Sequence, residues 1–178
     1  MEFNRNDGQN SKPKLQIQPN IGLDSEARES IIELLIPTLA DEAVLTAKTR
    51  AALWNDGAAN LSGSLALSKT QYQLMNTMTG EIAERIRMLG GFAIGCCEDF
   101  LQHSRLVDHP GHTPNIFQLL ADHETLIRSL REDIRKCAEE YEDVGTTDLL
   151  VRVIVMHEKM AWVLRSEIET KPLTSDKS

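Results

Sequence analysis

The sequence predicts an all-α chain, a four-helix bundle whose central crossover is long and carries a short extra helix. Three observations predict it. Apolar residues recur at helical spacing through four long stretches. Aromatic residues make up only 4% of the chain, so Leu, Ile, Val, Ala and Met must fill the core, which suits packed helices. Gly90-Gly91, the loop from Asp108 to Pro114 and Gly145-Thr146-Thr147 divide the chain into one hairpin, a crossover and a second hairpin. At 178 residues one domain is expected.

Residues 1–22, rich in Asn, Gln, Lys and Pro, read as a flexible arm. The bundle is expected over 23–170, followed by a short polar tail, 171–178. Asp24 or Ser25 caps the first helix, and Glu26 and Glu29 suit its positive end. Its stripe is Ile32, Leu35, Leu39, Ala43, Leu45 and Leu53, with Pro37 placed to kink it. Asn55-Asp56-Gly57 makes a turn, and Asn60 caps the second helix. That helix shows Leu61, Leu65, Tyr72, Met75, Ile82, Ile86 and Leu89. Gly80 weakens it by roughly 1 kcal/mol relative to Ala, and Gly90-Gly91 ends it.

Cys96 to Ser104 is expected to form the short helix. The third long helix is expected from Thr113 or Pro114 to about Tyr141, with a stripe of Ile116, Leu119, Leu120, His123, Ile127, Leu130 and Ile134. Thr146 or Thr147 is expected to cap the fourth, which carries Leu149, Leu150, Val153, His157, Met160 and Leu164. Leu39-Ala40-Asp41-Glu42 echoes Leu120-Ala121-Asp122-His123, the trace that two similar hairpins would leave.

The net charge of −8 opposes nonspecific attraction to nucleic acid or anionic membrane. No apolar run reaches the ~18 residues of a membrane span. The polar start MEFNRNDGQN shows no signal-peptide core. Cys96, Cys97 and Cys137 are odd in number, and two are adjacent, so reduced thiols in a cytosol are expected.

The segments LADEAVLTAKTR, LWN, EIAERIRMLGGFA, LLADHETLIRSLREDI, DVGTTDLL and HEKMAWVLR stand in this order between Ile21 and Glu169. Together they carry a resemblance: the sequence resembles Dps proteins, the starvation-induced DNA-protection proteins of the ferritin superfamily. The resemblance implies a ferritin-like bundle assembled into a hollow dodecameric shell, with the short helix at a two-fold contact. It implies iron as cargo, oxidised by peroxide and stored as mineral, and in some members a coat on DNA. The family's iron site lies between subunits: two His and an Asp from one, an Asp and a Glu from the other. Carried over without a gap from Trp54, the His positions fall on Leu53 and Leu65, and the first Asp on Lys69. The second Asp falls on Gly80, and only the Glu is kept, as Glu84. Iron needs imidazole and carboxylate donors, which Leu and Gly lack, and Lys69 places a cation where a cation would bind. Either Lys69 of one subunit pairs with Glu84 of the other, or both side chains reach solvent inside the shell.

The function expected is that of a Dps-like shell subunit in iron binding, storage and oxidative-stress protection, with the standard ferroxidase site largely lost. The alternatives are a noncanonical ferroxidase and a nucleoid-protection protein without iron oxidation. A cytoplasmic, nucleoid-associated homo-oligomer is expected, with mixing among paralogous subunits as a further option.

Other candidates stand beside this. His123 and His157, with Asp41 or Glu42, are expected to meet inside one bundle as hydrogen-bonded core groups or metal ligands. The Glu-x-x-His pattern of di-iron bundles is absent, since Ile154 and Leu120 precede the two His by three. Asp143 and Asp148 correspond to the family's pore-lining acids, which focus cations. Arg5, Lys12 and Lys14 on the arm are the DNA-binding candidates, gaining through multivalency on a shell. His103, His109 and His112 flank a Pro-Gly loop as a surface metal candidate. Cys96 and Cys97 are expected to pack at the two-fold contact, with redox sensing as the alternative.

Overall fold

A computed structural model describes residues 17–55 and 64–170, with side chains described over 17–55 and 69–170. Residues 1–16 of the arm, Gly57 of the turn, the cap position Asn60, Leu61 and the tail 171–178 lie outside the described residues. Five helices follow in order: α1 (Ser25–Asn55), α2 (Ser64–Met88), α3 (Cys97–His103), α4 (Ile116–Glu139) and α5 (Val144–Thr170). Among the described residues there is no strand. α1 packs along α2 and α4 along α5, while α1–α4 and α2–α5 contacts close the bundle. α3 lies in the crossover against α1. The architecture is the all-α bundle that the apolar spacing predicts.

Local chemistry sets the helix ends. Asp24 caps α1, its Oδ1 accepting from Ala27 N at 2.8 Å. α1 runs on through Pro37. α2 ends as Gly90 N donates to Arg87 O and Gly91 N to Ile86 O, with Gly90 at φ 94°. A Cβ on Gly91 would lie 2.9 Å from Ile32 Cδ1, so the missing side chain lets the chain close over α1.

Two helices differ at their ends from the sequence reading. α4 begins at Ile116, because Asn115 and Gln118 form a reciprocal capping box at 3.0 and 2.9 Å; Thr113 and Pro114 precede it, and it ends at Glu139 rather than Tyr141. α5 begins at Val144, capped by Asp143, whose Oδ1 accepts from Gly145 N and Thr146 N at 3.0 and 3.2 Å. The carboxylate outcompetes Thr146 and Thr147 for the free amides, and Thr146 Oγ1 becomes one of its donors instead.

The core is aliphatic as predicted, but Ile31 and Leu126 lie at its centre in place of the expected Ile32 and Ile127. Ile31, Leu35, Leu39, Leu45, Met75, Ile82, Ile86, Leu89, Leu126, Leu130 and Leu150 are fully buried. Ile32, Ile127 and Ile134 pack against this centre half-buried. No described helix is long and apolar enough to cross a membrane.

Candidate functional site

The buried polar residues of α1 are sorted between two sites. Asp41 and Glu42 are both inaccessible to solvent, yet they point different ways. Asp41 accepts from Ser104 Oγ, Arg105 N and Arg105 Nε at 2.8, 2.6 and 2.7 Å. Arg105 also reaches Asp133 at 3.3 Å and Thr38 at 3.2 Å. This network pins the end of α3 to α1 and α4. Burial pushes the Asp133 carboxyl up, and Arg105 and Thr38 oppose that shift. Nothing in the sequence beyond Asp41 singles out Arg105 as its partner.

Glu42 instead meets the two histidines. His157 Nε2 lies 2.5 Å from Glu42 Oε1, and His157 Nδ1 lies 2.8 Å from His123 Nδ1. The rings tilt at 47° with centroids 5.0 Å apart. Two N–H groups cannot face each other at 2.8 Å, so the Nδ1 contact holds one shared proton. Burial, and secondarily the neighbouring His157, holds the His123 pKa well below the usual imidazole value. Glu42 Oε2 is buried and accepts no hydrogen bond from the described residues. His123 and His157 are thus brought together as expected, with Glu42 rather than Asp41 as the acid. Among the described residues, no group of three or more His, Cys, Asp or Glu side chains is arranged to hold a metal ion.

The echo between α1 and α4 has a structural counterpart. Asp41 binds Arg105, and Asp122 binds Lys48 Nζ at 2.6 Å. Glu42 and His123, the next residues, both turn inward to His157.

The expected iron-ligand positions occupy a different environment. Leu53 is half-buried, and Trp54 beside it is 73% exposed under Arg50, whose guanidinium carbon lies 5.2 Å from the ring centroid. Leu65 lies on α2, its side chain outside the described set. Lys69, Gly80 and Glu84 are exposed on the same helix. Lys69 and Glu84 are separated by about 22 Å at 1.5 Å per residue, so they can meet only across subunits. A Cβ at Gly80 would meet nothing within 4 Å.

Asp143 and Asp148 part company. Asp143 is buried and takes both oxygens to Arg85 Nη2 at 2.8 Å. Burial pushes its carboxyl up, but Thr146 and Arg85 outweigh that and leave it below the ordinary carboxylate value. Its charge is thereby committed to joining α2 to the α4–α5 turn. Asp148 is exposed and pairs loosely with Arg152 at 3.4 Å.

His109 and His112 line a shallow cavity of about 160 Å³ with Lys48, Asp108 and Asp122; His103 is not among its lining residues and bonds Asp99 O at 2.8 Å. Cys96 and Cys97 are exposed in the protomer, whereas Cys137 is buried and its thiol is pushed up to about 12. Arg5, Lys12 and Lys14 lie outside the described residues.

Comparison with known proteins decides the family. The ferritin-like domain profile matches residues 32–173. A low temperature-induced protein of Nostoc sp. strain PCC 7120 is 39% identical over 86% of this chain and 88% of its own length. DNA protection during starvation protein 2 of Bacillus anthracis is 27% identical over 78% of this chain and 96% of its own. The chain belongs to the Dps family of the ferritin superfamily. Solved structures agree on the fold. DpsC from Streptomyces coelicolor superposes with a TM-score of 0.82 at 24% identity, covering 90% of this chain and 95% of its own. An archaeal Dps homologue from Halobacterium salinarum gives 0.83 at 18% identity, covering 97% of each.

Proposed function

We propose that this Dps-family chain is a shell subunit for iron binding and storage in oxidative-stress protection, and that its inter-subunit ferroxidase site has been dismantled. The observation that carries the second half is the set of residues at the family's ligand positions. Leu53, Leu65 and Gly80 offer no side-chain donor, Lys69 brings a like charge, and Glu84 alone remains.

Assembly has its own support. Val144, Val151, Val155 and Trp162 are 80, 41, 57 and 60% exposed, and their spacing places them along one outer face of α5. An apolar stripe of this kind marks a protein–protein contact. The homo-oligomer is the family's dodecamer in this reading, in the cytoplasm. Asp148, exposed where Asp143 is not, is the acid that would face a pore. Lys69 and the partner subunit's Glu84 form an ion pair in place of the metal. Mixed shells with a paralogous subunit would show as two chains in one purified particle. Arg5, Lys12 and Lys14 would hold DNA only through many arms at once, and that binding would weaken steeply with salt.

The test is ferrous-iron oxidation by peroxide in a stopped-flow instrument. The shell reading expects no saturable rapid phase above the protein-free rate. A rapid phase that saturates at a fixed number of ions per subunit would establish a noncanonical ferroxidase instead.

A further inference from the structure

We infer that Glu42, His157 and His123 form a buried proton relay, a pH-sensitive device inside each bundle. It holds one proton more in the folded chain than the same residues hold unfolded at about pH 8. The bundle therefore loosens as the pH rises. The relay joins three helices, with Glu42 on α1, His157 on α5 and His123 on α4, each exposed by 1% or less. It uses none of the inter-subunit iron positions.

The proton count follows from two contacts and one charge. Glu42 Oε1 and His157 Nε2 lie 2.5 Å apart, so one proton stands between them. His157 Nδ1 and His123 Nδ1 lie 2.8 Å apart, so a second stands there. With these two alone, the cluster keeps the full negative charge of Glu42 in the core. A buried charge has to be paired. Among the described residues, the other buried or partly buried cations are committed elsewhere. Arg28 donates to Leu89 O, and Lys48 pairs with Asp122. Arg85 pairs with Asp143, and Arg105 with Asp41 and Asp133. The described buried side chains of α2 are Gln71, Met75, Ile82 and Ile86, which carry no ionisable group. On α4 the Cys137 thiol stays neutral, pushed up to about 12 chiefly by burial. The counter-charge must come from the imidazoles themselves.

A third proton, on His123 Nε2, makes the cluster neutral. As it enters, the bridging proton passes from His123 Nδ1 to His157 Nδ1, which leaves the positive charge beside Glu42. Only N–H bonds form and break, and no electron moves. The count is the same whether the proton between Glu42 and His157 sits on oxygen or on nitrogen. Burial, and after it the neighbouring His157, holds the His123 pKa well below the usual imidazole value, which keeps the positive charge off that ring.

The sign of the pH effect follows. Unfolded at about pH 8, Glu42 is ionised and each histidine carries one proton. The folded cluster then holds three protons against two. Stability falls with pH wherever the unfolded state binds fewer protons, by about tenfold in the folded-to-unfolded ratio per pH unit for one proton.

The test is urea unfolding of the full chain and of Glu42→Gln between about pH 7.5 and 8.5, at fixed subunit concentration. In the variant the amide oxygen accepts from His157 Nε2, and no charge requires the third proton. The exposed Cys96 and Cys97 thiols are common to both proteins and cancel in the comparison. The parent's folded-to-unfolded ratio should fall about tenfold over this interval relative to the variant's. A parallel response of the two proteins overturns the inference. Neutron diffraction from deuterium-exchanged crystals of the parent at about pH 7.5 reads the count without a variant. A deuteron on His123 Nε2 is expected. A bare Nε2 overturns the inference even if Glu42→Gln does not fold.

Discussion

The core cluster and the exposed positions of α2 are opposites. Glu42, His123 and His157 are buried to 1% exposure or less and keep their polar chemistry. Lys69, Gly80 and Glu84 are exposed in the protomer, and in the proposed reading only Glu84 keeps the family's ligand type. A buried polar group is held by its partners, since losing one strands the others in a low dielectric. An exposed ligand is held only by the metal. In the proposed reading, where the metal is no longer needed, an exposed position of this kind is free to become Lys or Gly at little cost to the bundle.

That contrast is sharpest in stability. His157→Leu strands Glu42 in the core and should cost about 3–5 kcal/mol in urea unfolding. The double variant Glu42→Leu, His157→Leu should recover most of that loss. Equal losses in the single and double variants would break the distinction, because they would mean that packing, not pairing, holds the cluster.

Asp143 lies between the two regimes: it is buried but bonded to Arg85, which is partly exposed. Asp143→Asn should cost about 1.5–3 kcal/mol, the scale of hydrogen bonds to charged groups. Its folded pKa is lowered, so its contribution is complete above the ordinary carboxylate value of about 3.9 and is lost as pH falls through the folded value. Acid titration of stability should therefore flatten in the variant below about pH 4. An unchanged acid limb would remove Asp143 from the account.

The smallest effect should have the opposite sign. Gly80→Ala adds a Cβ that meets nothing within 4 Å, so it should stabilise α2 by about 0.5–1 kcal/mol. A destabilisation in thermal unfolding would show that Gly80 is confined in the assembled particle.

The bundle was legible because apolar spacing and the Gly90-Gly91 stop are local signals. The helix starts of α4 and α5 were less so: Asn115-x-x-Gln118 and Asp143 were visible caps, but Pro114 and Thr146 competed for the same role. The meeting of His123 with His157 followed from their stripes. The choice of Glu42 over Asp41 did not, since adjacent residues on a helix diverge by about 100°, and only the position of Arg105 after α3 settles which acid turns to the crossover. The Asp143–Arg85 pair was not legible, because Arg85 is 58 residues away in sequence.

The central claim is that the missing donors alone separate this shell from an active iron oxidase. The measurement is peroxide-driven ferrous oxidation by the parent and by Leu53→His, Leu65→His, Lys69→Asp, Gly80→Asp combined. The parent should match the protein-free rate, and the re-armed protein should gain a saturable phase faster by at least the ~10- to 100-fold that even changes to the hydrogen-bond partners of metal ligands carry. A parent that is already fast and saturable, or a folded, assembled quadruple variant that gains nothing, would contradict it.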